Sequence, residues 1–127
     1  MPELGLDRIH NHLKNLVGER NPFTQPEHLD RTAQYLSDQF EEMGLKVTRE
    51  AVSYESIQSY NILGRMPYDT EANGLFILAA HYDSVPNTPG ADDNASAVAA
   101  LLEIARDLSR TELQTPLLFS AFTLGHL

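Results

Sequence analysis

The sequence predicts an α/β fold, a three-layer sandwich whose mixed sheet is built around a parallel βαβ unit flanked by helices. Three observations carry that reading. Leu75-Phe76-Ile77-Leu78-Ala79-Ala80 is an unbroken apolar run, the pattern of a strand covered on both faces. Val98, Leu101, Leu102, Ala105 and Leu108 then recur at helical spacing over about 93–109. Leu117 to Phe122 forms a second apolar run after Pro116. A strand, a helix and a strand in that order require two parallel strands joined by a crossover.

The elements before this unit follow from spacing and punctuation. Ile9, Leu13, Leu16 and Val17 share one face of a helix over about 5–18, and Asn21-Pro22-Phe23 breaks the chain. Thr24-Gln25-Pro26-Glu27 has the pattern of a capping box, in which the hydroxyl and the glutamate satisfy exposed N–H groups reciprocally. The helix it would open carries Leu29, Ala33, Leu36, Phe40 and Met43 and ends at Gly44, which can close a helix in a left-handed conformation. Strands are expected near 45–54 and 57–66, followed by a polar turn region from Met66-Pro67 to Asn73-Gly74. Ser84 to Ala91, with two prolines and a glycine, reads as loop. Residues 1–127 are expected to form a single domain.

Composition narrows the function. The net charge is −9 and the 9 basic residues are scattered, so a nucleic acid or an anionic membrane surface is not the expected partner. With no cysteine, any metal site must use histidine and carboxylates. No secretory leader is legible at the N-terminus and no run reaches membrane-spanning length. The expected location is the cytoplasm, or the periplasm or exterior if a leader has been removed.

Ligands of open α/β sheets bind beyond the carboxyl ends of the parallel strands. There this chain places His81-Tyr82-Asp83-Ser84, Gly90-Ala91-Asp92-Asp93-Asn94 and Thr123-Leu124-Gly125-His126. His81 and Asp83 are two apart in extended chain and point to one side, which suits an imidazole ligand whose other nitrogen donates to a carboxylate. Asp92, Asp93 and Asn94 suit helix capping equally well. Ser84 and Ser96 lack a nucleophile elbow, and Asn94-Ala95-Ser96 is a chance glycosylation sequon. His10, His12 and His28 read as solvated surface residues.

Ala80-His81-Tyr82-Asp83-Ser84, with Pro89-Gly90-Ala91-Asp92-Asp93-Asn94-Ala95-Ser96 and the helix through Glu103, resembles the co-catalytic two-zinc aminopeptidases. These include bacterial leucyl and aminopeptidase Y-like enzymes and relatives of glutamate carboxypeptidase II. The resemblance implies the N-terminal half of such a catalytic domain, an incomplete zinc-peptidase fold of phosphorylase/hydrolase type. It further implies that His81 binds one zinc, Asp92 bridges two, Asp83 orients His81, and Asp93 shapes the turn through a cis peptide with Asp92. Substrates would be peptide N-termini.

The sequence departs from that pattern after Leu124, where Gly125-His126 stands in place of two glutamates, a general base and a zinc ligand. His126 is a candidate further ligand, since imidazole suits zinc; otherwise the last residues mark a frameshift, a decayed gene or a cut. Three expectations follow: weak or absent zinc occupancy, an inactive chain, and a homodimer or larger oligomer formed through an unprotected strand edge. The alternative is a non-enzymatic relic or binding module on the same scaffold.

Overall fold

Hydrophobic spacing decides the helices. The computed structural model describes residues 5–66, 75–111 and 116–124. Helix α1 (Leu6–Leu16) buries Leu16 and His12 and packs Ile9 and Leu13 on the core. It stops short of the expected residue 18, because Val17 turns extended and Gly18, at φ +128°, donates its N–H to Pro89 O (2.7 Å). Helix α2 (Pro26–Glu42) buries Leu29, Ala33, Leu36 and Phe40. The capping box does not form: Gln25 is the N-cap and makes no side-chain capping bond, while the Thr24 hydroxyl donates to the Glu19 carboxylate instead. Pro26 at the helix start has no N–H to satisfy. Asn21 Oδ1 organises the preceding turn by accepting from Phe23 N (2.9 Å) and Thr24 N (3.2 Å).

Strands β1 (Lys46–Tyr54) and β2 (Ile57–Arg65) form an antiparallel hairpin whose register runs from Tyr54 opposite Ile57 to Lys46 opposite Arg65. Glu55 takes φ +53° in the two-residue loop. Strand β3 (Phe76–His81) lies parallel to β4 (Leu117–Phe122), and β4 is antiparallel to β2, giving the order β1-β2-β4-β3. Between β3 and β4 the chain makes an irregular turn, Ala91–Ala95, and then helix α3 (Ser96–Ser109). The turn region at 67–74 lies outside the described residues.

Period-two alternation divides the sheet. Ile62, Gly64, Phe119 and Ala121 share the face that meets the helices, and Phe40 of α2 packs on Phe119 with ring centroids 6.4 Å apart. A β-carbon on Gly64 would lie 2.9 Å from the Phe40 ring, so this glycine lets helix and sheet approach closely. The three helices pack on one another, and α2 and α3 pack on the sheet. Leu63, Leu118 and Ile77 belong to the opposite face, where Ile77 is exposed. The α/β class and the mixed sheet hold, and the described residues supply the sheet and one helical layer. The expectation that β3 is covered on both sides is corrected: β3 is the edge of the described sheet, and Phe76 and Ile77 are 66% and 55% exposed. No described helix is long and apolar enough to cross a membrane.

Candidate metal centre

The parallel pair β3/β4 sets the position of the centre. His81 is the last residue of β3 and sits beside Phe122, and Tyr82 N extends the ladder by donating to Phe122 O (2.8 Å). Tyr82 is fully buried, its hydroxyl donating to Tyr60 O, and burial raises its pKa. This anchored tyrosine fixes the directions of its neighbours, His81 and Asp83. Asp83 is also fully buried, with Oδ1 3.4 Å and its carbonyl oxygen 3.2 Å from His81 Nδ1.

The second arm is the Ala91–Ala95 turn. Gly90 enters it at φ +60°, and Ala95 N donates to Gly90 O (2.9 Å) across a span wider than an α-helical turn. Asp93 (φ −113°, ψ 84°) and Asn94 (φ −143°, ψ 30°) leave helical conformation, so α3 begins at Ser96 rather than at Asp93 as spacing suggested. Asp93 Oδ1 thereby comes to 3.1 Å from His81 Nε2, and Asn94 Nδ2 donates to His81 O (3.4 Å). Asp92 is exposed and contributes its main-chain carbonyl to Ser96 Oγ (3.1 Å). The cis peptide lies between Asp93 and Asn94, not between Asp92 and Asp93 as the resemblance implied, and the carboxylate nearest His81 Nε2 is that of Asp93.

His81, Asp83 and Asp93 are therefore brought together. Gly125 and His126 lie outside the described residues. Thr123 is pinned at the same edge, its N–H on Asn61 Oδ1 and its hydroxyl on Ser59 Oγ (both 2.9 Å), so the chain leaves β4 beside His81.

The Asp83 carbonyl oxygen and Oδ1 face Nδ1 of His81, and a proton on that nitrogen would leave the Nε2 lone pair directed toward Asp93. Two ligands of a tetrahedral zinc with bonds of about 2.0–2.1 Å stand roughly 3.3 Å apart. The 3.1 Å separation between Nε2 and Asp93 Oδ1 is close to that edge. The pair fits one corner of a zinc site, with Asp83 behind the imidazole. Among the described residues no group of three or more histidine, aspartate or glutamate side chains could hold an ion.

Sequence reasoning missed Arg20, which is fully buried. Its guanidinium donates to the carbonyls of Tyr82 (2.7 Å), Gly90 (2.9 Å), Pro89 (3.1 Å), Gly18 (2.6 Å) and Leu16. Burial pulls its pKa down, and the charges of Asp83 and Asp93 oppose that shift. No spacing or motif marks this residue. His12, expected at the surface, is 5% exposed against Tyr35. Its place on the Ile9–Leu13–Leu16 stripe was the available signal.

Fold and centre together define an α/β protein whose polar groups gather at the carboxyl ends of parallel strands. The profile of Peptidase family M28 matches residues 61–124, half of the chain, and the chain belongs to that family. It is 35% identical over 78 residues to aminopeptidase YwaD of Bacillus subtilis (strain 168), a match covering 61% of this chain and 17% of that protein. Among solved structures it is similar to glutaminyl cyclase of Tannerella forsythia (29% identity, TM-score 0.79, 96% of this chain and 47% of that one). It is similar also to a candidate Zn-dependent exopeptidase of Bacteroides vulgatus ATCC 8482 (29% identity, TM-score 0.76, 96% and 48%). The chain spans about a quarter or less of the curated relatives it matches and under half of these solved structures. Zinc is the metal of the family.

Proposed function

We propose that residues 1–127 carry the first part of the zinc centre of an aminopeptidase that removes N-terminal residues from peptides. His81 and Asp93 would hold zinc, with Asp93 in the bridging role that the sequence resemblance gave to Asp92. Asp83 fixes the tautomer and the ring orientation of His81. The observation that carries the reading is the 3.1 Å approach of His81 Nε2 to Asp93 Oδ1, with Asp83 on the opposite ring nitrogen. Bound zinc supplies Lewis acidity toward a carbonyl and lowers the pKa of water. Buried Asp83 holds a proton on His81 Nδ1, and Tyr82 keeps the histidine at the strand end.

Two protein ligands are fewer than the three or four of a tight zinc site, so residues 1–127 alone would hold zinc weakly. Gly125 offers no side chain for proton transfer where the resemblance expects a general base. The purified 127-residue chain is therefore expected not to release leucine from a leucyl anilide, even with zinc added. Turnover that disappears on His81→Ala would overturn this and make the chain a working enzyme.

A second reading is cyclisation of an N-terminal glutaminyl residue, favoured by the 29% identity and TM-score of 0.79 to the Tannerella forsythia enzyme. Ammonia release from a glutaminyl peptide by this protein would select it over peptide-bond cleavage.

We also propose that two copies pair through β3, whose described edge exposes Phe76 and Ile77 with no lysine or proline in the run. Light scattering at micromolar concentration should give a dimer or larger species that Ile77→Lys dissociates. A monomeric wild type would refute the pairing.

A further inference from the structure

The two arms of the centre leave the scaffold at different points. One follows β3 through His81 and Asp83; the other begins at Gly90 and carries Asp93. The loop between them contains Pro86 and Pro89 and forms no part of the sheet. Something must hold the arms in register for Nε2 and Oδ1 to meet at 3.1 Å.

Resting on the metal reading above, we infer that Arg20 is a positioning residue, a buried clamp that ties both arms to the end of α1 and so sets the geometry of the His81–Asp93 corner. Its Nε bonds to Tyr82 O, the carbonyl between His81 and Asp83, and its Nη2 bonds to Gly90 O, which opens the second arm. Nη1 reaches Pro89 O and the carbonyls of Leu16 and Gly18 at the end of α1. A guanidinium has five N–H donors in a rigid plane, and all five carbonyl partners here are main-chain atoms. The Arg20 backbone adds to the clamp, its N–H on Ser84 Oγ (2.7 Å) and its carbonyl accepting from Ser84 N (2.9 Å). Asn21 Nδ2 donates to Ser84 O (3.0 Å).

The surroundings are shaped to this one side chain. A β-carbon on Gly90 would stand 2.5 Å from Arg20 Nη2, so the second arm can approach the guanidinium only as glycine. A buried cation is costly to desolvate, and joining loops alone would not require one. Its charge lies in the field of Asp83 and Asp93, which favours the protonated guanidinium against the effect of burial. Lysine has three donors on a single nitrogen, so Arg20→Lys cannot keep all five carbonyl contacts.

The test is the zinc dissociation constant of the full chain, followed by nuclear magnetic resonance titration of the imidazole signals in wild type, Arg20→Lys, Ser84→Ala and His81→Ala. Thermal unfolding is measured alongside, with and without zinc. Loss of a residue that orients a ligand typically weakens metal binding about 10- to 100-fold. Arg20→Lys should fall in that range, and zinc should raise its unfolding temperature less than it raises that of wild type. Ser84→Ala, the milder variant, should shift in the same direction, and it decides the matter if Arg20→Lys does not fold. A wild-type zinc constant in folded Arg20→Lys, or in Ser84→Ala when the former does not fold, overturns the inference whatever happens to stability. Zinc binding by wild type that ignores His81→Ala overturns instead the metal reading on which it rests.

Discussion

Gly90 and Gly44 both take positive φ, at 60° and 85°, yet their surroundings differ completely. A β-carbon at Gly44 would meet nothing within 4 Å, whereas at Gly90 it would lie 2.5 Å from Arg20 Nη2 and 2.9 Å from Ser84 Cβ. Replacing either with alanine forces an L-residue into left-handed backbone, at about 1–2 kcal/mol. The less flexible unfolded chain returns about 0.4–1 kcal/mol. Gly44→Ala should therefore cost about 1 kcal/mol. Gly90→Ala meets in addition a guanidinium that cannot swing away without breaking its carbonyl bonds, and overpacking of this kind costs about 1–3 kcal/mol more. Urea denaturation of the two variants measures the difference directly, because the backbone contribution is common to both. Gly90→Ala should be less stable than Gly44→Ala by about 1–3 kcal/mol. Equal losses would show that the arm at Gly90 is not packed against a fixed Arg20.

Two further predictions concern the core. Phe119 is fully buried against Phe40, so Phe119→Ala should cost about 3–5 kcal/mol in urea denaturation, and a loss below 1 kcal/mol would mean that helix and sheet do not meet there. Burial, the largest cause, lowers the pKa of His12, so the folded state disfavours its proton. His12 contributes full stability above about pH 6.5, its ordinary pKa, and that contribution declines as pH falls below it, where the unfolded chain binds the proton first. Between pH 7.5 and 5.5 the wild type should lose more stability than His12→Gln, and parallel losses would contradict the burial of His12.

The parts of the fold legible in the sequence were those with a clean period. β1 and β2 appear within a residue of expectation and α3 ends at the expected Ser109, because turns and apolar spacing agree there. The β3 run is ambiguous for a physical reason: uniform apolarity suits a strand covered on both faces, but cannot say which neighbours lie within the described residues. At the centre the resemblance gave the bridging role to Asp92, in a stretch, Asp92-Asp93-Asn94, that reads locally as a helix cap. The chain instead makes a wider turn before Ser96, moving the carboxylate that meets His81 from Asp92 to Asp93. Arg20 could not be read at all, since its partners are main-chain carbonyls up to 70 residues away and carry no side-chain signature.

The assignment of Asp93 to the metal corner is the central claim, and one comparison tests it most directly. The zinc dissociation constant should be measured for Asp93→Asn and Asp92→Asn in the same titration. Outer-shell changes cost about 10- to 100-fold, so loss of a direct ligand in Asp93→Asn should weaken zinc by at least that much. Asp92→Asn, altering an exposed residue, should leave the constant near that of wild type. The reverse order, with Asp92→Asn abolishing binding and Asp93→Asn preserving it, would contradict the account and return the bridging position to Asp92.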